Sequence, residues 1–103
     1  MTPQQQRIAI AEACQIDRQL VWLCNGKWVE FDPLSDLNAM HVVEKVLTNE
    51  QRGQVMDALC EIVRRDHNPE AGPMTAIINA FFATAAQRAE AFLRTLNLWL
   101  PTP

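Results

Sequence analysis

The sequence predicts a small α+β domain of the α-β-α sandwich type: about three antiparallel strands covered by about four helices. Three observations lead there. Asn25-Gly26 sits between two apolar, β-favouring runs, Leu20 to Cys24 and Lys27 to Phe31. The hairpin that results is apolar on both faces, which calls for helices on each side. Thr-x-x-Gln appears three times, at Thr2, Thr48 and Thr84, each time ahead of a stretch with helical periodicity, and Ser or Thr followed by Gln three residues later is the sequence form of a capping box.

The last helical stretch, 82–99, organises the chain. Ala85, Ala89, Phe92, Leu93, Leu96 and Trp99 follow the i, i+3, i+4, i+7 spacing of one buried face. Gln87, Arg88, Glu90 and Arg94 lie mainly off that face. Glu90 precedes Arg94 by four residues, the favourable order for an exposed ion pair. Asn97 is a left-handed stop.

In chain order, Thr2 caps a first helix, with Pro3 at the tolerated first position, running to about Cys14; Ile8, Ala11 and Cys14, with Arg7 or Ile10 at the margin, form a narrow apolar face. The hairpin 20–31 follows. Its two-residue loop sets Cys24 opposite Lys27, Leu23 opposite Trp28, Trp22 opposite Val29, Val21 opposite Glu30 and Leu20 opposite Phe31. Pro33 ends the second strand, and Ser35 or Asp36 caps a helix whose buried side is Leu37, Met40, Val43 (or Glu44) and Leu47. The Thr48 box starts the next helix, with Val55, Met56, Leu59, Ile62 and Val63 on its apolar face, Arg64 and Arg65 in its last turn, and Gly53 placed for close packing. The segment 67–73 is a break. Residues 74–82 read as a third strand, with a continuous helix into Thr84 as the rival reading. Residues 101–103 are a frayed tail, and residues 1–103 form a single domain.

Composition narrows the function. The net charge is −3, and the nine basic residues are scattered apart from Arg64-Arg65, so nucleic acid is disfavoured as a partner, since its binding needs a basic stripe. No apolar run is long enough for a membrane span. Three cysteines, Cys14, Cys24 and Cys60, cannot all pair within one chain. Without a signal peptide they imply reduced thiols and a cytoplasmic protein.

No catalytic or cofactor signature is present, and the expectation is a non-enzyme without a metal. Asp36, His41 and Glu44 are the nearest approach to a metal or acid/base set, His41 and Glu44 sharing a helix face. One imidazole and one carboxylate are too few for a closed site; Asp36 is better explained as a cap or first-turn acid, Asn38 as a residue bonding loop backbone and His41 as a half-buried packing residue. Cys14 and Cys60 lie on apolar helical faces, where thiols are inert. Arg88, in a first turn, opposes the helix dipole and needs an acidic partner, either a protein carboxylate or a bound phosphate. Arg94 is the second anion candidate. For protein contacts the candidates are Trp28 with Glu30, near the hairpin turn, and Trp99 beside Leu98 and Leu100, an ending that folds back or docks on a second copy.

Ala11-Glu12-Ala13-Cys14, Asp36-Leu37-Asn38-Ala39-Met40-His41 with Glu44-Lys45 and Leu47, and the block from Ala83 to Leu96 resemble the phage ABA sandwich domain family, small proteins of tailed phages and prophages. The Gly-Trp that often follows the first Cys in that family is Gln15-Ile16 here, and the aromatic before the Asp-Leu-Asn block is replaced around Pro33-Leu34. The resemblance implies an α-β-α sandwich and a phage or prophage origin; the family has no settled activity to carry over. The reading that follows is a non-enzymatic phage accessory protein in the host cytosol that binds a host protein, for instance as an inhibitor of antiviral defence. The alternative is a binder or sponge of a nucleotide signal using Arg88, Arg94 or the hairpin tryptophans. Homodimerisation through Trp28 and the Leu98-Trp99-Leu100 ending is a further expectation.

Overall fold

The computed structural model describes residues 1–16, 21–24, 26–70 and 72–100, with only the backbone of 21–24. Its described elements are α1 (Pro3–Ala13), β1 (Val21–Cys24), β2 (Lys27–Glu30), α2 (Leu37–Val43), α3 (Asn49–Asp66), α4 (Pro73–Phe81) and α5 (Ala85–Thr95), with a single 3-10 turn over Glu44–Val46. The chain is therefore mainly helical. This corrects the α+β sandwich: five helices stand where about four were expected, and the described strands number two.

The difference arises at residues 74–82, which are not a third strand. They belong to α4, a helix separate from α5. Gly72 is its N-cap and Pro73 its first residue, where the fixed φ suits a helix and the missing N–H is no loss. Thr75, Ile77 and Ile78 favour a strand, but two features outweigh them. Met74, Ile77, Ile78 and Phe81 are spaced three and four apart, and Ala76 and Ala80 put a small surface on the opposite side, where α4 packs on α3. Strand alternation would have placed Ile77 and Ile78 on opposite faces.

Without a third strand among the described residues, the hairpin stands as a two-stranded ribbon. It pairs Val21 with Glu30, Trp22 with Val29, Leu23 with Trp28 and Cys24 with Lys27. Gly26, with φ +77°, supplies the left-handed residue that the turn requires. Asn25 and Leu20, and with Leu20 its pairing to Phe31, lie outside the described residues. The ribbon is not covered on both faces, since all four residues of β2 are exposed. Its base is fastened instead: Phe31 and Pro33 are buried, and the Nε of Arg7 in α1 donates to Asp32 Oδ1 at 3.0 Å. Burial pushes the Asp32 carboxyl up, but Arg7 and Ser35 outweigh it and hold the group below its ordinary value.

The core gathers around α5, which packs on α3, α1 and α2. Phe92 and Leu93 are fully buried, together with Ile10 of α1, Met40 of α2, and Leu59 and Val63 of α3. Capping boxes close the starts of α1, α3 and α5: Thr2, Thr48 and Thr84 accept from Gln5, Gln51 and Gln87, whose side chains accept in return. The C-termini of α1 and α5 end alike. Asn97 (φ 58°) follows α5, with Leu98 N–H donating to Leu93 O and Asn97 N–H to Arg94 O. Gln15 (φ 58°) follows α1, with Ile16 N–H donating to Ala11 O and Gln15 N–H to Glu12 O. Both are Schellman endings, which glycine serves best; Gln15 stands where the resembled family often carries Gly. Gly53 is not a close-packing glycine, because a Cβ there would meet nothing within 4 Å.

Candidate functional site

The polar candidates resolve into structure-holding contacts. Asp36 caps α2, its Oδ1 accepting from Asn38 N–H at 3.0 Å. Glu44 accepts from Arg88 Nη1 with both carboxylate oxygens, at 3.1 and 3.2 Å. His41 is exposed. Asp36 and Glu44 are thus spent on separate contacts, His41 is not the half-buried packing residue expected, and among the described residues no group of three or more His, Cys, Asp or Glu could hold a metal ion. Arg88 has found its carboxylate, and its side chain is only 12% exposed. Cys14 and Cys60 are free thiols, half-buried; burial pushes the Cys14 thiol up, away from the reactive thiolate. The Cys24 side chain lies outside the described residues.

Glu90 is not the exposed ion-pair partner that the helical pattern predicts. It is 7% exposed and serves two arginines. Arg65 grips it bidentately, at 2.8 and 3.0 Å, and Arg94 Nε donates to it at 2.7 Å. Burial pushes the Glu90 carboxyl up, and the two guanidiniums more than reverse this, leaving it below its ordinary value. Arg65 also binds Asp66, which accepts from Gln87 Nε2 at 3.1 Å. Asp66 is held low by Arg65 first and Gln87 second. Gln87 is buried too, so α5 is enclosed on more sides than one stripe suggests. Arg65 and Asp66 were not singled out from sequence. Their only signal is a charged last turn on α3, and nothing local says that it meets α5.

Arg94 also lies over the Trp99 ring, 5.2 Å from its centroid, a cation–π distance. Trp99 is half-buried against the core. The Leu98-Trp99-Leu100 ending thus folds back, and Leu100 O accepts from the Met1 ammonium at 3.0 Å.

Among the described residues, Leu37, Val42, Val46, Leu98 and Leu100 are exposed in part, and the largest exposed apolar side chains gather on two surfaces. One is the hairpin. Trp28 is 71% exposed, flanked by exposed Val29 and Glu30. Trp28 and Glu30 share one face of β2, and each strand of the ribbon keeps one unpaired edge among the described residues. The other is α4, whose Met74 (71% exposed), Ile77, Ile78 and Phe81 (69%) face outward, continued by Phe82 at 84%. Sequence reasoning missed α4 as a surface because it placed these residues in a sheet; the three-four spacing after Gly72-Pro73 was the available signal. Neither surface carries reaction chemistry; both can bury apolar area against a partner.

No family model, no curated protein and no solved structure matches the chain. Among the described residues no helix is long and apolar enough to cross a membrane.

Proposed function

We propose that this chain is a non-enzymatic accessory protein that acts by binding another protein through its hairpin. The observation that carries the reading is Trp28: a tryptophan 71% exposed on a ribbon whose second strand buries none of its side chains. A large aromatic left in water is the residue type most enriched at binding hot spots. The open edges beside it can accept a partner strand by main-chain hydrogen bonds. Anchoring at Phe31 and through Arg7–Asp32 fixes the ribbon's base, while the four side chains of β2 stay exposed. The resemblance of residues 83–96 to tailed-phage proteins makes a host protein, such as a component of antiviral defence, the partner to look for.

The alternative of a nucleotide-signal binder has no comparable support. Arg88 and Arg94 are already engaged by Glu44 and Glu90, so an incoming phosphate would have to displace a carboxylate from either.

The test is affinity capture from host lysate with wild-type and Trp28→Ala baits, followed by titration of the purified partner. The expected result is a partner whose affinity falls at least tenfold with Trp28→Ala, while the urea midpoint of the chain is unchanged. Capture that is indifferent to Trp28, or no specific capture by folded bait, overturns the reading.

A further inference from the structure

We propose that the outer face of α4 pairs with the same face of a second copy of this chain, forming a twofold dimer through antiparallel α4 helices. This surface is distinct from the hairpin, and the inference does not rest on the hairpin reading.

Four observations select a second copy as the occupant. The first is area. Met74, Ile77, Ile78, Phe81 and Phe82 are between 42% and 84% exposed. At roughly 200 Å² for a large side chain they offer about 600 Å² per copy, close to the ~800 Å² per partner of a stable interface. The second is charge: α4, Pro-Met-Thr-Ala-Ile-Ile-Asn-Ala-Phe, has no ionisable side chain. The helix itself thus presents nothing that selects a charged partner and nothing that repels its own copy.

The third is shape. A groove of about 460 Å³ runs between α3 and α4, with Met56, Cys60, Pro73 and Ile77 as its apolar lining and Asp57, Glu61 and Arg64 as its charged lining on the α3 side. It lies beside the N-terminal half of α4, whereas the projecting phenylalanines are at the C-terminal end. Antiparallel pairing sets the C-terminal end of one copy against the N-terminal half of the other, and so brings Phe81 to the groove. The fourth is handedness. At about 100° per residue, Met74, Ile78 and Phe81 form the centre of the stripe, with Ile77 on the groove side and Phe82 on the far side. Phe81 falls on the Ile77 side of the centre. A twofold axis normal to the plane of the two helices keeps like sides together, so Phe81 and the groove it would enter lie on the same side. The contact is then isologous and closed, made twice in each dimer. Two copies joined in this way carry two hairpins, which raises the effective affinity for any partner with two sites.

Sedimentation equilibrium over a concentration series tests the proposal on the whole chain. The expected result is a concentration-dependent dimer for wild type, and at least a tenfold weaker association for Phe81→Glu and for Ile78→Lys. Their circular dichroism should be unchanged, because both side chains already face water. A wild-type monomer at every concentration, or a dimer equally strong in both variants, overturns it. The orientation is tested by Phe81→Cys under diamide. A covalent dimer that forms through Cys60 and is lost in Phe81→Cys/Cys60→Ser supports the antiparallel arrangement. An equal yield in both variants, or no covalent dimer, overturns it. Loss of the dimer would leave the dependence of capture on Trp28 in place even where avidity falls, so the two readings fail separately.

Discussion

In α5 the alanines share the buried surface with Phe92 and Leu93; in α4 the alanines are the buried surface, and Met74, Ile77, Ile78 and Phe81 stand outside it. The two helices are neighbours in sequence, joined by Phe82 to Thr84, and both contact α3. The difference is how many elements surround each. Since α5 is packed by α1, α2 and α3, even its polar Gln87 and Glu90 are enclosed and must be satisfied by Asp66, Arg65 and Arg94. Helix α4 packs chiefly on α3, along the narrow line of Ala76 and Ala80. An apolar stripe states that a helix seeks burial; it does not state that the burial occurs within the same chain.

Substitutions that treat the two helices alike should give unlike results. The largest effect is expected at Phe92→Ala. This side chain is fully buried, and its loss should cost about 3–5 kcal/mol in urea unfolding. Phe81→Ala removes the same side chain from α4 and should cost less than about 0.5 kcal/mol in the monomer. Equal losses would mean that α4 is covered from within.

Next in size is Glu90→Gln, which weakens the grip of Arg65 and Arg94. It should cost about 2 kcal/mol at neutral pH, the scale of hydrogen bonds to a charged group; the exposure of Arg65 keeps it from the higher cost of a fully buried pair. The Glu90 carboxyl titrates lower folded than unfolded, where its ordinary value is 4.5. Its stabilisation is therefore complete above that pH and is lost as the pH falls from there through the folded value. The gap between wild type and Glu90→Gln should accordingly narrow below pH 4.5. A gap constant down to the acid transition would show that the carboxylate is not the source. Asp32 and Asp66, also held low, lose their contributions in the same direction.

Smaller effects are expected where only the backbone is involved. Gln15→Gly should relieve the left-handed residue after α1 and stabilise by about 1 kcal/mol. Gly53→Ala, on an exposed turn of α3 with open space around the new methyl, should stabilise by about 0.5–1 kcal/mol. A loss at Gly53 would mean that something packs there.

What was legible in the sequence is local. The three Thr-x-x-Gln boxes, the Asn97 stop, the hairpin pairing set by its short turn, and a carboxylate for Arg88 each depend on residues a few positions apart or on a charge that must be neutralised. Residues 74–82 read as a strand because β-branched Thr75, Ile77 and Ile78 argue locally for one against the three-four spacing after Gly72-Pro73, and the small alanine face against α3 that settles the matter exists only once α3 is in place. The same holds for the candidate site. Trp28 was visible as a candidate whose place near the turn left core and surface equally open, and only the uncovered ribbon decided for exposure. Glu90 looked like a surface acid until Arg65, 25 positions away in sequence, came to meet it.

The sequence by itself determined where α1, α3 and α5 begin and where the hairpin turns, since capping boxes and turn residues act through hydrogen bonds and sterics within one turn of the chain. Only the tertiary structure decided which apolar faces are covered. Burial is a property of how many neighbours reach a face, and that number depends on every other element having taken its place.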